Sequence, residues 1–256
     1  MPELPEVETT VRALRPKVVG RELRSLRVFD PKLAKLPSLL ALPAKVEEIL
    51  RRGKYIIFVL PQKLLVVHLR MSGRLAWVEG EDVPKYSRLV LEFPEGRVAF
   101  IDPRRLGTVE IAEEFREELG PDALEDLSFL DEALGKSKLP IKVWLLDQRN
   151  IAGLGNIYAA EALFLAGIDP RRQASSLKPP EIARLKKAIH QVLTEALAAM
   201  GTTLSDNAYR TPAGEVGDYE PRVYGKEGLP CPICRTPIER IELGGRGTFF
   251  CPRCQK

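Results

Sequence analysis

Two Cys-x2-Cys pairs, Cys231/Cys234 and Cys251/Cys254, separated by sixteen residues, constrain this chain more than any other stretch. The sequence has 4 cysteines, and all of them lie in its last 26 residues. This spacing matches four-thiolate zinc sites and not the dispersed cysteines of a disulfide framework. One structural Zn2+ held by four cysteines has no open coordination position, so it organises a fold and does no chemistry. Between the pairs, Glu239–Leu243 and Thr248–Phe250 predict a hairpin joined by Gly244-Gly245-Arg246-Gly247. Arg246 is then exposed at a glycine-rich tip, where an arginine merely solvated by water fits the pattern as well as a binding residue.

The rest of the chain is long enough for two further cores. It has 256 residues, 45% hydrophobic and 29% charged. No apolar run is long enough to span a bilayer, and no signal-peptide pattern precedes Pro2, so no membrane partner is expected. The formal charge of +4 is unevenly spread: residues 1–134 carry 21 Lys+Arg against 23 Asp+Glu, and residues 135–256 carry 18 against 12. A basic second half points to a polyanionic partner.

The first half reads as β-structure behind one helix. Val7, Val11 and Leu14 recur at helical spacing, with Pro5 suited to a first turn, so a helix is predicted from Pro5 to about Arg15. Glu3 and Glu6 stand at its N-terminal end. An acidic first turn is favoured by the helix dipole alone. The neighbouring Pro2 suggests more. Once Met1 is removed, Pro2 becomes a secondary amine, and an α-amino group titrates at about 7.7–8.0, leaving a fair fraction nucleophilic near neutral pH. Short strands are then predicted at Leu23–Phe29, Val46–Leu50, Tyr55–Leu60, Leu64–His68, Leu75–Val78, Leu89–Phe93, Val98–Ile101 and Thr108–Ile111, a β-sandwich pattern with the helix at its edge.

Three turns in this half stand out. Arg51-Arg52-Gly53-Lys54 precedes an apolar strand; a solvated basic turn would look the same. His68-Leu69-Arg70-Met71-Ser72-Gly73 puts Met71 in a tight turn, either folded back on the core or exposed as an apolar wedge between bases. His68 reads as structural. Asp102-Pro103-Arg104-Arg105-Leu106-Gly107 combines two arginines with an apolar residue.

Ala112–Leu134 is acidic and helix-like, broken at Gly120-Pro121, and Gly135–Pro140 marks a boundary. A helix is predicted over Pro140–Gln148, with Lys138 before it as a candidate contact to the backbone of a polyanionic partner. Gly153 and Gly155 form a turn before a helix capped by Asn156, either a phosphate site or a packing corner. A long helix follows from Pro180 to Met200, with His190 on its surface. The polar segment from 205 to 217 is a long loop of the functional kind.

These motifs, in this order, resemble the formamidopyrimidine-DNA glycosylases and their endonuclease VIII relatives along nearly the whole chain. The resemblance rests on Met1-Pro-Glu-Leu-Pro-Glu-Val-Glu-Thr9, the turn lysine, the methionine turn, Asp-Pro-Arg-Arg, Leu145-Leu-Asp-Gln148 with Ala152-Gly-Leu-Gly-Asn-Ile-Tyr158, and the four cysteines. Tyr224-Gly225 and Asn156-Ile157-Tyr158 resemble the formamidopyrimidine branch. The resemblance implies that Pro2 attacks C1′ of the damaged nucleotide and that Glu3, with Glu6 one turn on, belongs to the catalytic set. Lys54 and Arg246 would serve the β- and δ-eliminations, Arg246 also gripping phosphates. Met71 would fill the gap left by the extruded base, Arg104 would contact the orphaned cytosine, and Asn156 would bind the backbone near the lesion. Two positions depart from the pattern: Leu106 stands where the family has a phenylalanine wedge, and Tyr86 where it often has a DNA-contacting histidine.

The expected fold is α+β and multidomain. A β-sandwich with an N-terminal helix spans 1–134, a helix–two-turns–helix domain 135–222, and a zinc-ribbon hairpin 223–256. The expected function is a bifunctional glycosylase/AP lyase for oxidised purines. It would act as a cytoplasmic, nucleoid-associated monomer on double-stranded DNA with oxidised bases or abasic sites, with no Mg2+ or organic cofactor. An endonuclease VIII-like enzyme for oxidised pyrimidines, or a non-catalytic lesion-binding protein, remain the alternatives.

Overall fold

The structure, a computed structural model, describes residues 2–205 and 208–256. Met1, and Asp206 and Asn207 of the expected 205–217 loop, lie outside the described residues. The chain forms two compact units: Met1–Glu117 with Ala199–Tyr219, and Glu118–Ala198 with Glu220–Lys256. This division differs from the expected boundaries at 134 and 222, chiefly because the segment after the long helix belongs to the first unit.

In the first unit, helix α1 spans Leu4–Val18, with Glu3 as N-cap and Pro5 in its first turn. It runs one turn beyond the expected end because Val18 continues the buried stripe of Val7, Val11 and Leu14. Pro16 is tolerated there, since the carbonyl it leaves unbonded belongs to exposed Arg12. Ten strands follow: β1 Glu22–Leu23, β2 Ser25–Val28, β3 Ala44–Lys45, β4 Glu48–Arg52, β5 Tyr55–Leu60, β6 Lys63–His68, β7 Arg74–Val78, β8 Ser87–Phe93, β9 Gly96–Ile101 and β10 Thr108–Ala112. The predicted Leu23–Phe29 strand is two pieces, because Glu22–Leu23 pairs with Ala44–Lys45 while Ser25–Val28 pairs with β8.

Two four-stranded antiparallel sheets result, in the orders β10-β6-β5-β4 and β2-β8-β9-β7. Alternation along the strands builds the core between them. Leu89, Leu91 and Phe93 meet Ile49, Phe58 and Leu65, and the α1 stripe closes the cluster. Val90 points the other way, into a small group with Ala76, Ala99 and Ile101. This is the expected β-sandwich, with α1 against edge strand β4. Residues 199–219 attach to the same unit, for example through Trp77 N–H to the Pro212 carbonyl at 3.0 Å.

The second unit contains α2 Leu130–Ala133, α3 Ile141–Leu146, α4 Asn156–Ala166 and α5 Pro179–Ala198, then β11 Glu239–Leu243 and β12 Arg246–Phe250. Helix α4 is apolar nearly all round and almost wholly buried, as a central helix must be. It packs on α5, whose Ile182, Leu185, Ile189, Val192 and Leu193 are buried. The helix expected across Ala112–Leu134 is absent except for one turn. Its first part is short before Gly120-Pro121 breaks it, and in a helix Glu113 and Glu117, and Glu114 and Glu118, would face each other as like charges at i, i+4. Further on, the carboxylates of Asp122 and Asp126 accept N–H groups of Leu124 and Ser128, local bonds that compete with helix. No helix of the described residues is long and apolar enough to cross a membrane.

Candidate active site

In the first unit, the N-terminus is packed from the moment it enters α1. Pro2 is buried, Glu3 is 0% exposed and Glu6 1%. Glu6 divides its carboxylate: Oε2 accepts the Glu3 N–H at 2.7 Å and Oε1 accepts the Thr202 N–H at 2.8 Å. The first bond belongs to a capping arrangement. The second ties the helix start to the 199–219 segment. Gly201 makes that approach possible: its φ is +90°, and a Cβ there would stand 2.7 Å from Glu6 Oε1. Beside them Tyr209 is buried and its hydroxyl donates to the Met200 carbonyl at 3.0 Å. Burial, and then the Glu6 carboxylate, hold that phenol well above its ordinary pKa.

Lys54 occupies the turn between β4 and β5 and is only 8% exposed. Arg51 is pinned to Glu8, Nε to Oε2 at 2.8 Å. His68 ends β6 with its ring edge-on to Tyr55 at 4.6 Å, and its Nδ1 accepts the Arg70 N–H. Burial, then the charges of Arg70 and Lys54, push its pKa down to about 3, so it stays neutral near pH 7. The neutral, satisfied imidazole agrees with a structural histidine.

The two remaining turns meet at Asp102. Its Oδ1 accepts the Ser72 hydroxyl at 2.6 Å and the Arg104 N–H at 3.2 Å, while Oδ2 accepts the Gly107 N–H at 2.7 Å. One buried carboxylate therefore joins the methionine turn to the arginine turn. Met71 and Arg104, with Tyr86 and Arg74, line a cavity of about 620 Å³. Arg104 is exposed, Tyr86 is 53% exposed and Leu106 is 45% exposed. Leu106 is thus no core residue, although it leads directly into β10.

The second unit corrects two expectations. Asn156 is not the cap of α4; Gly155 is, and Asn156 opens the helix. Its Nδ2 instead donates to the Gly247 carbonyl at 3.0 Å, and its buried Oδ1 accepts no hydrogen bond among the described residues. Arg246 is not in the hairpin tip either. The turn is Gly244-Gly245 alone, with φ +58° and +69°, the torsions that a two-residue hairpin turn requires and glycine supplies. Arg246 starts β12, and it remains exposed, as does Lys138.

Lys142 and Glu161 were not found by sequence reasoning. Lys142 is 0% exposed and its Nζ reaches the Gly247 carbonyl at 3.1 Å and Thr248 Oγ1 at 2.7 Å. Glu161, also 0% exposed, accepts the N–H groups of Arg222, Val223 and Tyr224 at 2.7–3.0 Å, holding the approach to the ribbon against α4. The signal was present: single charges inside Ile141-Lys142-Val143-Trp144 and Ala159-Ala160-Glu161-Ala162. A lone charge in an apolar helix is buried with a partner or not at all.

The sulfur atoms of Cys231, Cys234, Cys251 and Cys254 all lie within 4.8 Å of one another. Cys231–Cys254 and Cys234–Cys251 are 3.8 and 3.4 Å apart. Four thiolates about 2.3 Å from a tetrahedral zinc stand roughly 3.8 Å apart, so the set fits the metal.

Three family models cover this architecture in order. Residues 1–109 match the formamidopyrimidine-DNA glycosylase N-terminal domain, 119–208 the formamidopyrimidine-DNA glycosylase H2TH domain, and 228–256 the zinc finger found in FPG and IleRS. A formamidopyrimidine-DNA glycosylase of Thermus thermophilus is 44% identical over 268 residues, covering 100% of this chain and 98% of that protein. That of Paracoccus denitrificans is 42% identical with 100% of both covered. The crystal structure of the MutM (Fpg) protein from Thermus thermophilus superposes with a TM-score of 0.91 at 42% identity, over 99% of this chain and 98% of the other. Lactococcus lactis Fpg in complex with abasic-site DNA gives 0.91 at 33% identity, over the full length of both. The chain belongs to the formamidopyrimidine-DNA glycosylase family.

Proposed function

We propose that this chain is a bifunctional DNA glycosylase and AP lyase of base excision repair, acting on 8-oxoguanine and formamidopyrimidines in double-stranded DNA. The observation that carries the reading is the N-terminal pair Pro2-Glu3, packed and held by Glu6 at the start of α1. A target base must leave the stack before a buried group can reach its sugar. The Pro2 nitrogen forms a bond to C1′ as the C1′–N bond to the base breaks, and the base departs with a proton. Opening of the sugar ring leaves a Schiff base. Loss of a C2′ proton then expels the 3′ phosphate, and a second elimination expels the 5′ phosphate. Glu3 handles protons at the sugar, Lys54 donates in the first elimination, and Arg246 assists the second. The phosphates leave by elimination, so the steps call for neither Mg2+ nor an organic cofactor. Zinc, on its four thiolates, supplies only the fold of the ribbon. Met71, Arg104 and Leu106 take the place of the extruded base, while Tyr86, Lys138, Asn156 and Arg246 hold backbone. The protein works as a monomer in the cytoplasm, on the nucleoid.

Borohydride trapping on a duplex with 8-oxoguanine opposite cytosine tests the reading. A covalent adduct at Pro2 is expected. Preference for thymine glycol would place the enzyme with the oxidised-pyrimidine relatives, and binding with no adduct on any lesion would make it a non-catalytic binder.

Two substitutions probe the contacts. Arg246→Ala is expected to weaken DNA binding with zinc content unchanged, and to make the salt dependence of affinity shallower by about 0.9 in log–log slope, one phosphate fewer. An unchanged slope would remove Arg246 from the phosphate contacts. Leu106→Phe restores the family residue at an exposed position. A π-face should hold lesion duplex more tightly, by up to ~1–3 kcal/mol, with little change on undamaged DNA. Because Leu106 is 45% exposed, the melting temperature should not move. A lower melting temperature with unchanged affinity would mean that phenylalanine overpacks and wedges nothing.

A further inference from the structure

Asp30, just after β2, has a side chain 2% exposed and accepts from two arginines that come from different segments. Arg88 on β8, itself 5% exposed, donates Nε to Asp30 Oδ2 at 2.7 Å. Arg88 also reaches Asp102 Oδ2 at 3.3 Å and the Gly107 carbonyl at 2.5 Å. Arg105 lays its guanidinium fork across both oxygens of Asp30, Nε to Oδ2 at 3.1 Å and Nη2 to Oδ1. The cluster contains two carboxylates and two guanidiniums, so it is neutral only while Arg105 is in place. Without Arg105, Asp30 keeps its bond to Arg88 and loses its second guanidinium.

The placement matters because of the neighbours of Arg105. Asp102 and Gly107 fix the two ends of the turn, and Arg105 sits in its middle with φ +54°, a torsion that a non-glycine residue keeps only where the surroundings enforce it. Arg104 and Leu106 flank it and are exposed, and the Arg104 guanidinium bonds nothing among the described residues. A guanidinium committed to a carboxylate through two parallel bonds is both strong and directional. We propose that Asp30 and Arg105 form a strut that positions the turn, making Arg105 a positioning residue for Arg104 and Leu106 and not a further DNA contact. The inference rests on the reading of Arg104 and Leu106 as the residues that replace the extruded base.

Arg105→Gln and Arg105→Lys test it, since the Arg105 side chain is 51% exposed and its loss spares the buried Asp30–Arg88 pair. Neither keeps the bidentate fork, so both are expected to weaken lesion-duplex affinity about tenfold, leaving the salt slope unchanged. Asp30→Asn, where it folds, should produce the same loss and add nothing to Arg105→Gln. Borohydride trapping on a single-stranded abasic oligonucleotide has no opposite base and no void to fill, and should stay at the wild-type level. Should Arg105→Lys retain affinity while Arg105→Gln flattens the salt slope by ~0.9, Arg105 grips a phosphate and the strut is wrong. Equal loss of single-strand trapping and duplex affinity would also overturn it, as general damage to the unit. If the wild-type protein itself traps neither substrate, the proposed chemistry fails. The strut is then judged on slope and non-additivity alone.

Discussion

A chain that keeps Met1 is expected to lose base excision and Schiff-base trapping together. With Met1 attached, the Pro2 nitrogen is an amide whose lone pair is delocalised into the carbonyl, and it can neither attack C1′ nor carry an iminium. Freed, it is a secondary amine, and an α-amino group ordinarily titrates at about 7.7–8.0, which leaves a fair fraction nucleophilic near neutral pH. Pro2→Gly should behave differently: a primary amine remains, so some strand cleavage at abasic sites survives while base excision drops. Intact-mass measurement separates processed from unprocessed chains, and trapping on each fraction reads the outcome. Adduct formation at the normal rate by a fraction shown to retain Met1 would falsify the assignment of Pro2 as nucleophile.

Zinc removal, or Cys251→Ser, should have the second largest effect. A structural four-thiolate site contributes on the order of 10–16 kcal/mol, comparable with the whole stability of a domain, so the hairpin cannot persist without it. The damage does not stop at the hairpin. The Gly247 carbonyl is the acceptor for both Lys142 Nζ and Asn156 Nδ2, and Thr248 completes the Lys142 site. Losing β12 strands a fully buried ammonium and releases the start of α4. Lesion-duplex affinity is therefore expected to fall by roughly a hundredfold or more, about 2.8 kcal/mol. Measuring zinc content, circular dichroism and duplex titration on one sample tests this. A metal-free protein that binds DNA normally would take the ribbon out of the interface.

Local pattern made much of this fold readable. Short apolar runs at close spacing located the strands of the sandwich, and β5 falls on Tyr55–Leu60 as predicted. The cysteine spacing anticipated the clustered thiolates. Where residues compete for the same place, pattern failed. Asn156 is a good cap by type, but Gly155 takes the capping position and leaves Asn156 to reach the hairpin. Two successive glycines already announce a two-residue turn, which would have moved Arg246 from the tip into the strand. The acidic stretch after β10 has helix-forming residues, yet it is short and sets glutamates against each other at i, i+4. Site roles came from resemblance, and only their surroundings came from structure. Nothing near Glu6 in sequence hints that its second donor is Thr202.

That last bond has a consequence for how the protein is made. Glu6 and Thr202 are 196 positions apart. At 5–20 residues per second, a ribosome spends roughly 10–40 s between them. For that time the sandwich strands, Pro2, Glu3 and Lys54 are already synthesised, and the segment that completes their unit is not. The whole second unit up to Ala198 is translated inside this interval. A nascent chain therefore carries Pro2 and Glu3 early, and the backbone that holds the Glu6 carboxylate late. Any chain cut short before residue 202 lacks the N–H that Glu6 Oε1 accepts.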